Sequence, residues 1–244
     1  MYIEDYLFFL VAGLVCMILS LFASIKVRTA FSKYNKVPNS SGATGYDTVR
    51  QLMDANDIHD VQIGQINGHL TDHYHPKKAI VNLSDDTFNN SSIAAVAVAA
   101  HEMGHVMQNK TGYLFFKIRS FLVPIVNFGQ HLAFPLVIIG VILDYLSLTA
   151  NPETGFYIAM IGVILYGGSL LFALITLPVE LNASKRAKQM LLSANILSDD
   201  EMRGAKKVLS AAALTYVASL LTSLVYFLRF LIRVLTLFGK RDRD

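Results

Sequence analysis

The chain has 244 residues, 53% of them hydrophobic and 16% charged, with a mean hydropathy of +0.44. Soluble domains run nearer to about 45–50% apolar and about 25% charged, so this balance is that of a membrane protein. A net charge of +3, with no basic stripe interleaved with aromatics, argues against nucleic acid as a partner. The single cysteine, Cys16, excludes an internal disulfide and a cysteine-rich zinc cluster. Any metal site must therefore be built from histidines and carboxylates.

Tyr6–Ser24 carries no charge and is long enough to cross a bilayer, which takes ~20 mostly apolar residues. The chain opens Met-Tyr-Ile-Glu-Asp rather than with cations, and Lys26, Arg28, Lys33 and Lys36 follow the span. Residues 1–25 thus read as an uncleaved anchor with its N-terminus outside and the next segment in the cytoplasm. Residues 26–120 form the stretch large enough for a small folded module. It is too short to bury a large core alone and must lean on the membrane helices. Within it Pro38–Gly42 is a turn cluster, and Thr44-Gly-Tyr-Asp47 starts a helix with Val49, Leu52 and Met53 on one face. His59, Val61 and Ile63 alternate with polar residues as in a strand, and Asn67-Gly68 is a turn. Ala79–Leu83 reads as a second strand, either internal or an edge to which an extended peptide adds. After a polar break over 84–90, Ser91-Ser92 offers the N-cap of a helix over 92–109. Its first half, Ile93–Ala100, is apolar on every side, so it must be buried all round.

Phe121–Leu143 and Phe156–Leu177 are further spans, forming a hairpin over 121–178. The link Asp144–Gly155 has no Lys or Arg and reads as outside. The segment 179–207 carries Lys185, Arg186, Lys188, Arg203, Lys206 and Lys207 and reads as inside. Ser198-Asp-Asp-Glu201 is a capping box. It opens the last helix, whose fourth span runs from Val208 to Leu228 within a C-terminal segment over 208–244. Arg229 and Arg233 follow, one turn apart, in a stretch that stays apolar to Phe238. That stretch either extends the span with snorkelling arginines or lies flat at the interface. Lys240, Arg241 and Arg243 then fall outside against the charge rule, partly offset by Asp242 and Asp244. His131, beside Gln130 in the second span, either lines a polar cavity or bonds to another helix. The expected fold is a mainly α membrane protein with about four transmembrane helices and a small cytoplasmic α+β zincin-like module.

The chemistry concentrates in Val98-Ala-Ala-His-Glu-Met-Gly-His-Val-Met-Gln108. His101 and His105 are four apart on a helix, so both imidazoles face the same way. Glu102 points along the neighbouring face, where it can take a proton from a water on the metal without being a ligand. Zinc lowers the pKa of such a water from ~16 toward ~7. This is the His-Glu-x-x-His arrangement of metallopeptidases. A chance match is the alternative. Against it, two histidines and a glutamate closing an apolar helix cost several kcal/mol unless paired or bound. Gly104, worth about 1 kcal/mol of helix stability, suggests that something approaches the backbone closely. A catalytic zinc needs a third protein ligand. Glu180, leaving the third span on the side of His101, is the first candidate; otherwise it is an interfacial carboxylate paired with Lys185 or Arg186. Asp144 is the rival ligand, in a site-2-type intramembrane protease with helix 92–109 inside the bilayer. Of the cluster His69, Asp72, His73, Tyr74 and His75, His73 and Tyr74 are the first choices for stabilising an oxyanion; a solvated loop is the plainer reading. Asn182 helps position Glu180 or merely caps.

Lys33-Tyr-Asn-Lys-Val-Pro-Asn39, Gly68-His-Leu-Thr-Asp-His-Tyr74, Ala94–His105 and Thr176-Leu-Pro-Val-Glu-Leu-Asn-Ala-Ser184 resemble the bacterial membrane neutral zinc metallopeptidases of the YugP-like family. The similarity runs nearly end to end, through Ala211-Ala-Ala-Leu-Thr-Tyr-Val217. More distantly it extends to the HtpX-like and CAAX-endopeptidase-like membrane zincins of gluzincin type. The resemblance implies one zinc per chain, with His101, His105 and Glu180 as ligands and Glu102 as base. It implies endopeptidase action on a protein or peptide substrate at the cytoplasmic face of the bacterial inner membrane. Those distant relatives carry Glu-Phe-x-Ala-Asp where this chain has Glu180-Leu-Asn-Ala-Ser184. A carboxylate at the last position would orient a ligand histidine; Ser184 does so only weakly. A non-catalytic zinc-binding scaffold is the remaining alternative. Nothing in the sequence addresses the oligomeric state.

Overall fold

The computed structural model describes residues 2–146, 151 and 153–239, with side chains from Leu7 onward. The tail cations Lys240, Arg241 and Arg243, and part of the link at 144–155, lie outside the described residues. The chain is mainly helical with one small sheet. In order it forms α1 (Tyr2–Tyr34), α2 (Gly45–Asp54), β1 (Gln62–Ile66), β2 (His73–His75), β3 (Ile80–Ser84), α3 (Asp85–Phe88), α4 (Ile93–Lys110), α5 (Leu114–Tyr145), α6 (Thr154–Ser193) and α7 (Asp199–Phe238). By length and composition α1, α5, α6 and α7 can each cross a membrane. A helix of 40 residues, as α6 and α7 are, is about 60 Å long. That is twice the ~30 Å hydrocarbon thickness of a bilayer, so each has length to spare beyond a crossing.

The chain divides into two units: residues 1–20, 118–176 and 217–244, and residues 21–117 and 177–216. In the first unit the helices pack through small residues. A Cβ on Gly140 would stand 2.4 Å from the Gly155 main-chain oxygen, and one on Gly162 2.6 Å from that of Ala133. This is how apolar helices gain contact where no hydrophobic effect drives them together. Val137, Ala159, Val163, Val234 and Phe238 form its buried cluster. His131 Nδ1 meets the Asn127 carbonyl one turn back, at 2.6 Å, rather than a group on another helix.

The second unit holds the sheet and the α4 helix. α2 is set by a capping box: the Asp47 N–H donates to Thr44 Oγ1 at 3.1 Å and the Thr44 N–H to Asp47 Oδ2 at 2.9 Å. Its buried face of Val49, Leu52 and Met53 meets the alanine-rich face of α4. Ser92 caps α4, accepting from the Ala95 N–H at 3.1 Å. Ile93–Ala97, Ala99 and Ala100 are all buried, as an all-apolar segment requires. Val81 and Leu83 of β3, Leu191 of α6 and Met202 of α7 complete the core.

The sheet order is β1-β3-β2, with β1 parallel and β2 antiparallel to β3. β3 is therefore internal, the second of its two sequence readings, and an open edge belongs to β2. The first strand also starts later than the alternation at His59 suggests. Asp57 adopts a positive φ of 55°, and His59 turns to its carboxylate at 2.8 Å, so the ladder begins only at Gln62. Two elements had no sequence counterpart. One is β2, three residues long. The other is α3, a single turn in the segment expected to be a polar break.

Candidate metal centre

Every group of the site below belongs to the second unit; Asp144, the rival ligand, belongs to the first. On α4, His101, His105 and Gln108 fall at i, i+4 and i+7 and share a face. α6 crosses there with Val179, Glu180, Asn182, Ala183 and Ser184. The two helices touch main chain to main chain: a Cβ on Gly104 would lie 2.4 Å from the Ala183 carbonyl oxygen. The close approach that Gly104 suggested is therefore that of α6. It brings Glu180 Oε2 to 3.1 Å from His101 Nε2 and 3.5 Å from His105 Nε2. The two rings stand edge to face, 4.9 Å between centroids.

This is the one group of three ligating side chains, among the described residues, that could hold a metal ion; Asp144 is not in it. The two separations from the carboxylate to the imidazoles suit zinc, and all three ligand atoms lie within 4.8 Å of one another. Ligand atoms ~2.0–2.1 Å from a tetrahedral ion lie about 3.3 Å apart, and the observed 3.1 and 3.5 Å bracket that. Two imidazole nitrogens and a carboxylate oxygen also suit zinc chemically, and three ligands leave a position open.

The second ring nitrogens supply the tautomers. Gln108 is fully buried and its amide orientation is set, because its Nε2 donates to the Val179 carbonyl at 2.7 Å and to Asn182 Oδ1 at 3.1 Å. Its Oε1 must then accept from His105 Nδ1 at 3.0 Å. The proton of a neutral His105 is thus on Nδ1, and the Nε2 lone pair faces Glu180. A lone pair turned on a carboxylate is an arrangement that a cation between them resolves. Ser184 Oγ stands 3.1 Å from His101 Nδ1, so the shorter serine reaches the position expected of a carboxylate. Asn182 serves Gln108, and it also accepts from Arg186 Nε at 2.8 Å. Gln108 was absent from the sequence reading. Its signature was a polar residue on the ligand face of an otherwise apolar helix.

Replacing Gln108 with leucine leaves the Val179 carbonyl without its amide donor and the His105 ring free to turn. Zinc affinity is expected to fall about 10–100-fold, as for other outer partners of ligand histidines. Titration against a chromophoric chelator measures it.

Glu102 is 7% exposed. Burial pushes its carboxyl up from an ordinary 4.5 to about 7, opposed by His101 and by a hydrogen bond from the Tyr74 main-chain N–H, while Glu180 and Asp72 add to the rise. The Tyr74 N–H therefore points away from β3, toward the open edge of β2. The tyrosine's ring packs against the core, and its hydroxyl accepts from Asn109 Nδ2 at 2.9 Å. His73 alternates to the opposite face of the strand. Its Nδ1 bonds the Thr71 carbonyl at 2.9 Å and its Nε2 meets Asn82 Nδ2 at 3.1 Å. The hydrogen bond that Glu102 receives from this pair is thus that of the Tyr74 main chain, while the two side chains are bonded to Thr71, Asn82 and Asn109. Asp72 accepts from the Ser84 N–H and hydroxyl, both at 2.8 Å, His69 pairs with Asp86, and His75 Nδ1 accepts from the Lys78 N–H at 3.2 Å. Each of these three has a partner outside the ligand group.

Four helices long and apolar enough to cross a membrane, and a candidate metal centre in the second unit, point to a membrane protein of metalloenzyme type. The chain belongs to the family described as "Putative neutral zinc metallopeptidase", whose model matches residues 8–235. It is 42% identical over 226 residues to "Putative membrane protease YugP" of Bacillus subtilis (strain 168), covering 93% of this chain and 95% of that one. No solved structure matches it. Family and relative together make a zinc-dependent protease of the membrane the coarse description of this chain.

Proposed function

We propose that the chain is a membrane-embedded zinc endopeptidase whose α+β unit is a gluzincin-like module facing the cytoplasm. His101, His105 and Glu180 hold one zinc ion, and Glu102 is the base. The observation that carries this reading is the convergence of Glu180 Oε2 on both histidine Nε2 atoms, with Glu102 buried beside them. When bound, the ion supplies Lewis-acid chemistry, polarising a carbonyl and making water acidic near neutral pH. Glu102 takes the proton of the attacking water and hands it to the leaving amine nitrogen, so the peptide C–N bond breaks as the new C–O bond forms. Its buried position suits both tasks, because burial raises the carboxyl's proton affinity against the opposing pull of the bound dication. The Tyr74 N–H holds that carboxylate in place. The Tyr74 carbonyl lies on the same open side of β2, where an extended peptide can add as a strand. The cations at 26–36 and 185–207 support the cytoplasmic orientation.

Metal analysis of purified protein tests the ligand set. Wild type and Asp144→Ala are expected to carry one zinc per chain, and Glu180→Ala to lose most of it. Zinc lost from Asp144→Ala and kept by Glu180→Ala would sink the assignment in favour of the site-2-type arrangement.

A further inference from the structure

In the first unit, well apart in sequence from the metal ligands, the helices form a half-open groove of about 480 Å³, in which Arg229, Arg233 and Phe134 stay exposed. Arg229 and Arg233, one turn apart on α7, both line it. Neither has a carboxylate partner among the described residues. Around them stand the polar groups of Gln130, Tyr166, Tyr226 and Thr236. Thr236 spends its hydroxyl on the Ile232 carbonyl at 2.6 Å, and the Tyr166 ring rests on Phe230 at 4.9 Å. The remaining wall, including Phe9 and Phe134, is apolar. Two unpaired guanidinium groups in a helix that otherwise crosses a membrane are costly unless an anion meets them. Arginine's planar fork donates two parallel hydrogen bonds to a carboxylate or a phosphate, and the anion a bilayer offers beside a spanning helix is the phosphate of a lipid headgroup. A groove that is cationic at one place and aromatic elsewhere, within a bundle whose outer surface is exposed Leu, Ile and Phe, matches a molecule with an anionic head and an apolar tail.

We propose that this groove binds an anionic phospholipid, its phosphate on Arg229 and Arg233 and the start of an acyl chain along Phe9 and Phe134. The reading is independent of the metal centre, so its failure leaves the peptidase assignment standing. Snorkelling cations draw anionic headgroups by charge alone; a built site adds a preference that depends on the guanidinium fork and is reduced when lysine keeps only the charge.

The test is native mass spectrometry of the full-length protein in detergent, with phosphatidylglycerol, phosphatidylcholine or inorganic phosphate added. Wild type is expected to retain phosphatidylglycerol at least about tenfold better than phosphatidylcholine, and inorganic phosphate is not expected to displace it. Arg229→Gln/Arg233→Gln is expected to lose that preference, and Arg229→Lys/Arg233→Lys, which keeps the charge, to retain part of it. If the glutamine variant does not fold, the wild-type lipid preference and the lysine variant decide. Equal retention of the two lipids by wild type overturns the proposal, as does an unchanged preference in the glutamine variant. Binding of inorganic phosphate in place of the lipid would make it a free-phosphate site and overturn it too.

Discussion

Replacing Glu102 with glutamine is expected to leave zinc bound and to lower peptide hydrolysis by about 10²–10⁴-fold, the usual worth of a positioned general base. Glutamine fits the same buried space and can still accept from the Tyr74 N–H, but it cannot take a proton. Zinc content and proteolysis must therefore separate. A variant that loses both has lost its fold or its ligand geometry. A variant that keeps both removes Glu102 from the chemistry and favours another base. A wild type that cleaves nothing, with a variant that is silent in cells, favours a zinc-binding scaffold.

The same residue sets a pH dependence with a definite sign. Burial holds the Glu102 carboxyl near 7, above its unfolded value of 4.5, so the folded state prefers the protonated form. That contribution to stability is fully present below pH 4.5 and is lost as pH rises through about 7. Metal-free Glu102→Gln is therefore expected to melt higher than metal-free wild type at about pH 8, by at most ~3 kcal/mol. The gap should close toward pH 4.5. A nearby dication lowers the pKa again, so in the zinc form the acid limb of activity should lie below pH 7 and be absent from the glutamine variant. Melting curves across pH, with and without chelator, check both.

What could be read in advance follows from how local each feature is. The capping box of Thr44 and Asp47, the Ser92 cap and the all-apolar start of α4 are short-range patterns, and each stands where its residues indicate. Gly104 was legible as a helix-interior glycine with no local use, although its neighbour, Ala183, was not. Glu180 could be nominated because few acids lie near an apolar span. Its approach to His101 across 79 residues depends on the crossing of α4 and α6, and no local pattern encodes that. Tyr74 shows a related limit. The side chain invites attention, yet what reaches Glu102 is a main-chain N–H, which every residue but proline carries. β2 is too short for alternation to be visible, and its place between α4 and β3 is a tertiary fact. Gln108 closes the motif stretch without a role that its own neighbours could suggest. Only the α6 carbonyl opposite it makes it an orienting group.

Gly104→Ala is expected to cost more than any conservative change elsewhere on α4. In an isolated helix alanine would gain about 1 kcal/mol over glycine. Here its Cβ would lie 2.4 Å from the Ala183 oxygen, 2.9 Å from its carbonyl carbon and 3.0 Å from its Cα. All three are main-chain atoms and cannot rotate away, so α4 and α6 must separate. Overpacking of this kind costs about 1–3 kcal/mol, which outweighs the propensity gain, so the melting temperature should fall. The larger effect is on the metal. Glu180 lies one turn before Ser184 on the helix that is pushed away, while both histidines stay on α4. Metal–ligand distances tolerate only about 0.2 Å, so a shift of half an ångström or more should weaken zinc binding by more than about tenfold. Gly13→Ala on α1 is the matching control, because a Cβ there meets nothing within 4 Å. It should keep full zinc affinity and melt at or slightly above the wild-type temperature. If Gly104→Ala binds zinc as tightly as Gly13→Ala, the backbone contact between α4 and α6 is not what brings Glu180 to the histidines.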